Sequence, residues 1–253
     1  MSIDDELEKI DVIILCGGRG TRLTPVIGEQ PKVLAKIGET AFLDILIDGV
    51  LQQGFKRIIL CIGYLGRKIR EHFDHNRDKN YEIVFSEEER PLGTGGASKK
   101  AQSLIRSNPF VVMNGDSICK VDLKSFVHFH IEKQSLLSIV LAHSEAARDY
   151  GSISLGKSQR ITSFNEKVPG GSASLVSAGI YLMQKDVFSY MPGQDHFSLE
   201  YDFFPRIVHN RCYGFLTDGE FIDIGTPERY EKAIGLLSGS ARVVGQALTL
   251  RAL

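Results

Sequence analysis

Short apolar runs alternate with helix-period segments over the first half of the chain. Val12-Ile13-Ile14-Leu15, Arg57-Ile-Ile-Leu-Cys-Ile62, Ile83-Val84-Phe85 and Phe110–Asn114 are nearly continuous in apolar character, as expected of strands covered on both faces. Between them, Phe42, Ile45, Leu46, Gly49 and Val50 fall on one face of a helix over about Ala41–Gln53, with Gly54 as its stop. A second helix is expected around Leu65–Phe73, and Ala97, Ala101, Leu104 and Ile105 mark a third. Such alternation predicts right-handed βαβ crossovers and an α/β fold, a mainly parallel sheet flanked by helices. From about Ser135 the pattern becomes strand-rich: Leu136–Ala142, Gly151–Leu155, Ile161–Phe164 and Leu175–Met183. Helical periodicity returns at Ser198–Val208 and Thr226–Leu237. No polar linker divides the two parts. Residues 1–253 are therefore expected to form one domain with a cleft between a first half (about 11–134) and a second (about 135–237), plus an extension over 238–253.

Composition narrows the function classes. Hydrophobic content of 43% and charged content of 24% are ordinary for a globular protein, and the net charge of −1 favours neither nucleic acid nor an anionic membrane. The acidic N-terminus lacks an apolar signal region and no apolar run reaches bilayer length, which points to a cytoplasmic protein. Cys16, Cys61, Cys119 and Cys212 are scattered without a CxxC pair and read as buried free thiols. The seven histidines form no catalytic pattern; His128 and His130 lie in a helix-like stretch, where positions two apart point in different directions. The semi-apolar segment Ser238–Leu253 either covers the core or makes a contact in a homodimer.

The first strand runs into Leu15-Cys-Gly-Gly-Arg-Gly-Thr-Arg-Leu23, with Lys32 nine residues on. Gly17, Gly18 and Gly20 let the backbone approach a ligand and leave amide N–H groups for phosphate oxygens. Arg22 and Lys32 add positive charge where a triphosphate would lie. The loop has neither the Gly-Lys-Ser/Thr of a P-loop nor the third glycine of the dinucleotide fingerprint. A tight turn with solvated cations would explain it equally well in isolation. Phe110–Asp116 ends a buried strand in Asn-Gly-Asp, which places Asp116 at the carboxyl end of the sheet, where a carboxylate can hold Mg²⁺; the same tripeptide is also ordinary turn chemistry. Asp223 lies between Ile222 and Ile224, and burying such a carboxylate without a cation or strong donors is costly. Thr226-Pro227-Glu228 after it is a good helix start.

The sequence resembles the sugar-1-phosphate nucleotidyltransferases from about Val12 to Tyr230. The resemblance rests on Gly17-Gly-Arg-Gly-Thr-Arg22, Pro31-Lys32, Leu92-Gly-Thr-Gly-Gly-Ala97, Asn114-Gly-Asp116, Tyr150-Gly151, Phe164-Asn-Glu-Lys167, Ala178-Gly-Ile-Tyr181 and Asp223-Ile-Gly-Thr-Pro227. It implies a Rossmann-like mixed sheet and transfer of a nucleotidyl group from a nucleoside triphosphate to a sugar 1-phosphate, releasing pyrophosphate. By the resemblance, Arg22 holds the leaving pyrophosphate, Lys32 neutralises the attacking and α-phosphates, and Asp116 and Asp223 hold Mg²⁺. Leu15, Gly17, Gly18, Gly20, Thr21, Glu88, Pro91, Gly93 and Thr94 would bind nucleotide. Tyr150, Gly151, Glu166, Lys167, Ser177 and Gly179 would bind the sugar phosphate, Ser177 standing where the family often has Asn.

Glu88 occupies the family position that reads the base edge. A carboxylate only accepts hydrogen bonds and matches the paired N1–H and N2–H donors of guanine, whereas uracil and thymine offer one ring N–H. This favours GTP, although related uridylyltransferases carry a similar Glu-x-x-Pro-Leu-x-Thr-Gly-Gly segment. Pro91-Leu-Gly-Thr-Gly-Gly-Ala97, Phe197-Ser-Leu-Glu200 and Phe221-Ile-Asp-Ile-Gly225 resemble the D-glycero-α-D-manno-heptose 1-phosphate guanylyltransferase group, with mannose 1-phosphate as the nearest competing substrate. Two rival readings remain: a regulatory nucleotide-sugar-binding subunit, which would not need Arg22, Lys32, Asp116 and Asp223 together, and a glycosyltransferase, which usually carries Asp-x-Asp.

Overall fold

A computed structural model describes residues 6–74, 80–144, 151–165 and 174–238. In chain order the elements are β1 (Asp11–Leu15), the short helix α1 (Thr24–Ile27), β2 (Lys36–Ile37), β3 (Thr40–Ala41), α2 (Phe42–Gln52), β4 (Arg57–Ile62), α3 (Gly66–Asp74) and β5 (Glu82–Glu87). Next come α4 (Gly93–Lys100), β6 (Phe110–Asn114), β7 (Ser117–Cys119), α5 (Leu123–Glu132), β8 (Leu137–Ser144), β9 (Ser152–Leu155), β10 (Ile161–Asn165), β11 (Ser174–Met183), α6 (Phe204–Ile207), β12 (Cys212–Thr217), β13 (Phe221–Asp223) and α7 (Pro227–Ser238).

The apolar runs form the centre of a nine-stranded mixed sheet because both their faces are covered. β6, β1, β4 and β5 lie side by side and parallel. Alternate residues serve opposite cores. Val12 and Ile14 pack with Phe42, Leu46 and Ile69 on one face, while Ile13 packs with Ala97, Val112 and Phe188 on the other. The second half joins antiparallel through β11. Its C-terminal part pairs with β6, its N-terminal part meets β9, and β8 pairs with it over both parts, carrying β12 on β8's other edge. The α/β class and the strand-rich second half are both present, and one sheet runs through the two halves. No helix among the described residues is long and apolar enough to cross a membrane.

Two elements differ from their sequence patterns. The third helix starts at Gly93, earlier than Ala97, and gives way at Ala101–Leu104 to a tighter 3₁₀ turn that leaves Ile105 outside. The stretch 198–208 begins as a π-helical turn, Leu199–Phe203, before α6. All four cysteines are buried free thiols.

The register sets the two ends of the parallel strands apart. At the amino ends, Asp11, Arg57 and Glu82 sit in one row, and the Arg57 guanidinium donates to Asp11 at 2.6 Å and to Glu82 at 2.9 Å. At the carboxyl ends, Asn114, Leu15, Cys61 and Ser86 form the matching row. The first is a closed ion-pair staple; the second opens into the cleft, the usual ligand position in such sheets.

Candidate active site

The ladder continues one residue past β1, with Cys16 N–H donating to the Cys61 carbonyl at 2.8 Å, before the chain turns into the glycine loop. One glycine there is demanded by Glu88: a Cβ on Gly17 would lie 2.5 Å from Glu88 Oε1. Glu88 follows β5, is pinned through its own N–H to the Ile62 carbonyl, and accepts the Leu92 N–H on Oε2 at 2.9 Å. Burial raises its carboxyl above the usual range, against the Leu92 N–H and the positive charges of Lys100 and His196. Around it is a cavity of about 340 Å³. Leu15, Gly17, Gly18, Gly20, Glu88, Pro91, Gly93 and Thr94 line it, as do Lys32 and Asp116. Thr21 and Arg22 are exposed and outside its lining, which takes Arg19 instead.

Lys32 opens a 3₁₀ turn directly after Pro31, and its Nζ lies 2.5 Å from Asp116 Oδ2. Asp116 sits in the turn between β6 and β7. Strand β13 pairs antiparallel with β7, placing Asp223 opposite Ser117, and the Ile224 N–H donates to the Asp116 carbonyl at 3.0 Å. The two acidic residues expected to act together, 107 positions apart in sequence (223 − 116), thus belong to one corner of the cleft. The premise that Asp223 lacks a cation or a strong donor is corrected. Arg229 on the first turn of α7 is 3.2 Å from Asp223 Oδ1, and the Gly225 N–H donates to the same oxygen at 2.8 Å.

On the sugar side, β11 carries a bulge: Ser177 pairs with Leu141 but Tyr181 with Ile139, so four steps on one strand match two on the other. Gly179 lies inside the bulge at φ +71°, where an added Cβ would crowd Asn114 Nδ2 at 2.7 Å. Such bulges re-aim backbone groups beside sites. Ser177 Oγ accepts the Gly179 N–H at 3.2 Å and donates to the Tyr181 hydroxyl at 3.3 Å. Gly151 immediately precedes Ser152, which pairs with Val176, so it adjoins the same bulge. Tyr150, Glu166 and Lys167 lie outside the described residues.

Several cleft groups had no individual role in the sequence reading. Asn114 Oδ1 is buried without a hydrogen-bond partner among the described residues. Tyr181 is fully buried, and burial together with the neighbouring Glu200 carboxylate pushes its phenol well above the ordinary range. His196 lines the nucleotide-side cavity. Asn114, Tyr181 and Glu200 stood within quoted motifs; His196 gave no signal beyond preceding Phe197.

Comparison with known proteins places this geometry. A family model described as nucleotidyl transferase matches residues 11–238. The chain belongs to the nucleotidyl transferase family. Among its members, this chain is 35% identical over 225 residues to D-glycero-alpha-D-manno-heptose 1-phosphate guanylyltransferase of Aneurinibacillus thermoaerophilus, covering 88% of this chain and 96% of the relative. The enzyme of the same description from Campylobacter jejuni is 33% identical, covering 87% and 97%. The crystal structure of HddC from Yersinia pseudotuberculosis, also solved complexed with GMP-PN, superposes with a TM-score of 0.80 at 35% identity, covering 90% of this chain and 99% of that one.

For a nucleotidyl transferase, the donor set at this corner fits Mg²⁺. Asp116 and Asp223 offer hard oxygen ligands, and Asn114 Oδ1 adds a buried oxygen without a partner. Among the described residues no group of three or more His, Cys, Asp or Glu side chains forms a metal cluster. Two carboxylates with the remaining positions left to phosphates and water is the usual pattern for Mg²⁺ in nucleotide sites.

Proposed function

We propose that this protein transfers a guanylyl group from GTP to D-glycero-α-D-manno-heptose 1-phosphate, forming a GDP-heptose and pyrophosphate. The observation that carries this reading is Glu88. Its carboxylate sits in the cavity at the carboxyl ends of the parallel strands, packed against Gly17 with Oε2 held by Leu92. An acceptor-only group so fixed matches the paired donors of guanine. Sequence identity to the heptose 1-phosphate guanylyltransferases supports the sugar assignment.

In the transfer, a phosphate oxygen of the sugar 1-phosphate bonds to the α-phosphorus of GTP. The bond from that phosphorus to the α–β bridging oxygen breaks, and pyrophosphate departs with its electron pair. No nucleophilic side chain is required; positioning and charge neutralisation supply the rate. Lys32, mostly buried and already in the cleft, neutralises the attacking and α-phosphates as its contact with Asp116 is exchanged for phosphate oxygens. Arg22 receives the leaving pyrophosphate from the exposed rim. Asp116 and Asp223 would hold Mg²⁺, which when bound neutralises charge on the α-phosphate. Gly151, Ser177 and Gly179, with Tyr150, Glu166 and Lys167, bind the sugar 1-phosphate. Asp116→Ala tests the assignment of the acidic corner: turnover should fall by at least about 10³-fold, on the scale of losing a principal electrostatic group, with the melting temperature retained. Near-normal turnover would remove Asp116 from the reaction.

A further inference from the structure

A hydrogen-bond chain through Glu200 is used by neither base recognition nor phosphate chemistry, yet it joins the two sides of the cleft. The segment 195–200 docks on the start of α4 by backbone contact. Phe197 N–H donates to the Leu92 carbonyl at 3.0 Å, and the Phe197 carbonyl accepts the Gly95 N–H at 2.9 Å. Any side chain at Gly96 would overlap the Asp195 carbonyl, so the approach depends on a bare backbone there.

The docking places the Glu200 carboxylate among three hydroxyls. Oε2 accepts from Thr94 Oγ1 and Ser198 Oγ, both at 3.1 Å, and Oε1 accepts from the Tyr181 hydroxyl at 2.6 Å. An ionised carboxylate has no proton to give, so it fixes the direction of each bond around it. Tyr181 donates to Glu200 and therefore accepts from Ser177, whose own oxygen receives the Gly179 N–H. Thr94 donates to Glu200 and accepts the Leu199 N–H at 2.8 Å. One carboxylate thus orients Thr94, which lines the nucleotide cavity, and the Ser177–Gly179 bulge on the sugar side.

We propose that Glu200 is a positioning residue that sets the sugar-phosphate subsite through Tyr181 and Ser177 and ties it to the nucleotide side through Thr94. The proposal rests on the transfer reaction given above. Glu200→Gln keeps the shape of the side chain but turns an amide N–H₂ toward partners that need an acceptor; Tyr181→Phe removes the link and keeps the ring packing. Each variant should raise KM for D-glycero-α-D-manno-heptose 1-phosphate about tenfold, while Kd for GTP measured without sugar stays within about twofold. The double variant should be no worse than either single one, because both cut the same chain. An unchanged sugar KM, a GTP Kd that rises in step with it, or additive losses would each overturn the proposal in favour of simple structural support. Pyrophosphate release by the unaltered enzyme reports on the transfer reaction separately; its absence would remove that reading and this one with it, whereas its presence with an unchanged sugar KM would remove this one alone.

Discussion

Glu88 answers two opposing demands. It must be ionised to accept from a guanine edge, and burial in the cleft wall disfavours that charge. The consequence is a pH dependence with a defined sign. Only the deprotonated form pairs with guanine, so GTP affinity is full above the raised pKa and weakens as pH falls through it, sooner than for an ordinary carboxylate. Glu88→Gln should flatten this acid limb. It should also cost GTP binding about 1.5–3 kcal/mol, the range for hydrogen bonds to a charged group, and so reduce the preference for GTP over UTP. Nucleotide titrations across pH 5 to 8 with both bases measure this. An unchanged preference would move base reading to backbone groups. The sequence singled out Glu88 among three consecutive glutamates only through its motif position; nothing in Glu87-Glu88-Glu89 itself separates them. The structure does: Glu87 pairs with Arg70 at 3.0 Å, Glu89 is exposed, and Glu88 faces Gly17.

Among the elements, strands covered on both faces were the most legible. Arg57–Ile62 matches its apolar run residue for residue because both cores need apolar side chains there. β12, Cys212–Thr217, was missed: its pattern is interrupted by Gly214, and only its neighbour β8 gives it a ladder. The start of α4 was hidden in Gly93-Thr-Gly-Gly, poor helix formers kept there by the approach of segment 195–197. The β11 bulge could not be seen at all, since four residues opposing two is a property of the pairing and leaves no trace in one strand. Gly179→Ala tests its importance. The left-handed backbone costs about 1–2 kcal/mol for a side chain, and the crowding against Asn114 adds to it. Denaturant unfolding should show at least that loss, with sugar-phosphate KM raised as the bulge shifts. Wild-type stability and KM together would mean that the bulge relaxes freely.

Over the whole molecule, function and stability draw on different charged groups. His130 gave no catalytic pattern in the sequence and has a packing role in the fold: fully buried, with Ser138 Oγ at 2.9 Å and Gln184 Nε2 at 3.3 Å. Burial, helped by Arg211, lowers its pKa to about 3. The unfolded chain takes up this proton near pH 6.5 and the folded one does not. The neutral ring's contribution is therefore complete above pH 6.5 and is lost as pH falls toward 3, on the order of 3 kcal/mol between pH 7 and pH 4. Unfolding free energies at those two values should show this loss, and His130→Gln should reduce it; an equal slope in the variant would contradict the assignment. The nucleotide side of the site was largely legible because its residues follow consecutive strand ends. The Thr94–Glu200–Tyr181 chain was not, because its bonds span 106 and 19 positions and only the docking of segment 195–200 brings them together. The most direct test of the central claim is pyrophosphate release with Mg²⁺, comparing GTP, UTP, CTP, ATP and dTTP against the D-glycero-α-D-manno-heptose, mannose, glucose and N-acetylglucosamine 1-phosphates. Release greatest with GTP and the heptose 1-phosphate is the predicted result. Silence across the whole panel, from folded protein that still binds a nucleotide sugar, would contradict it.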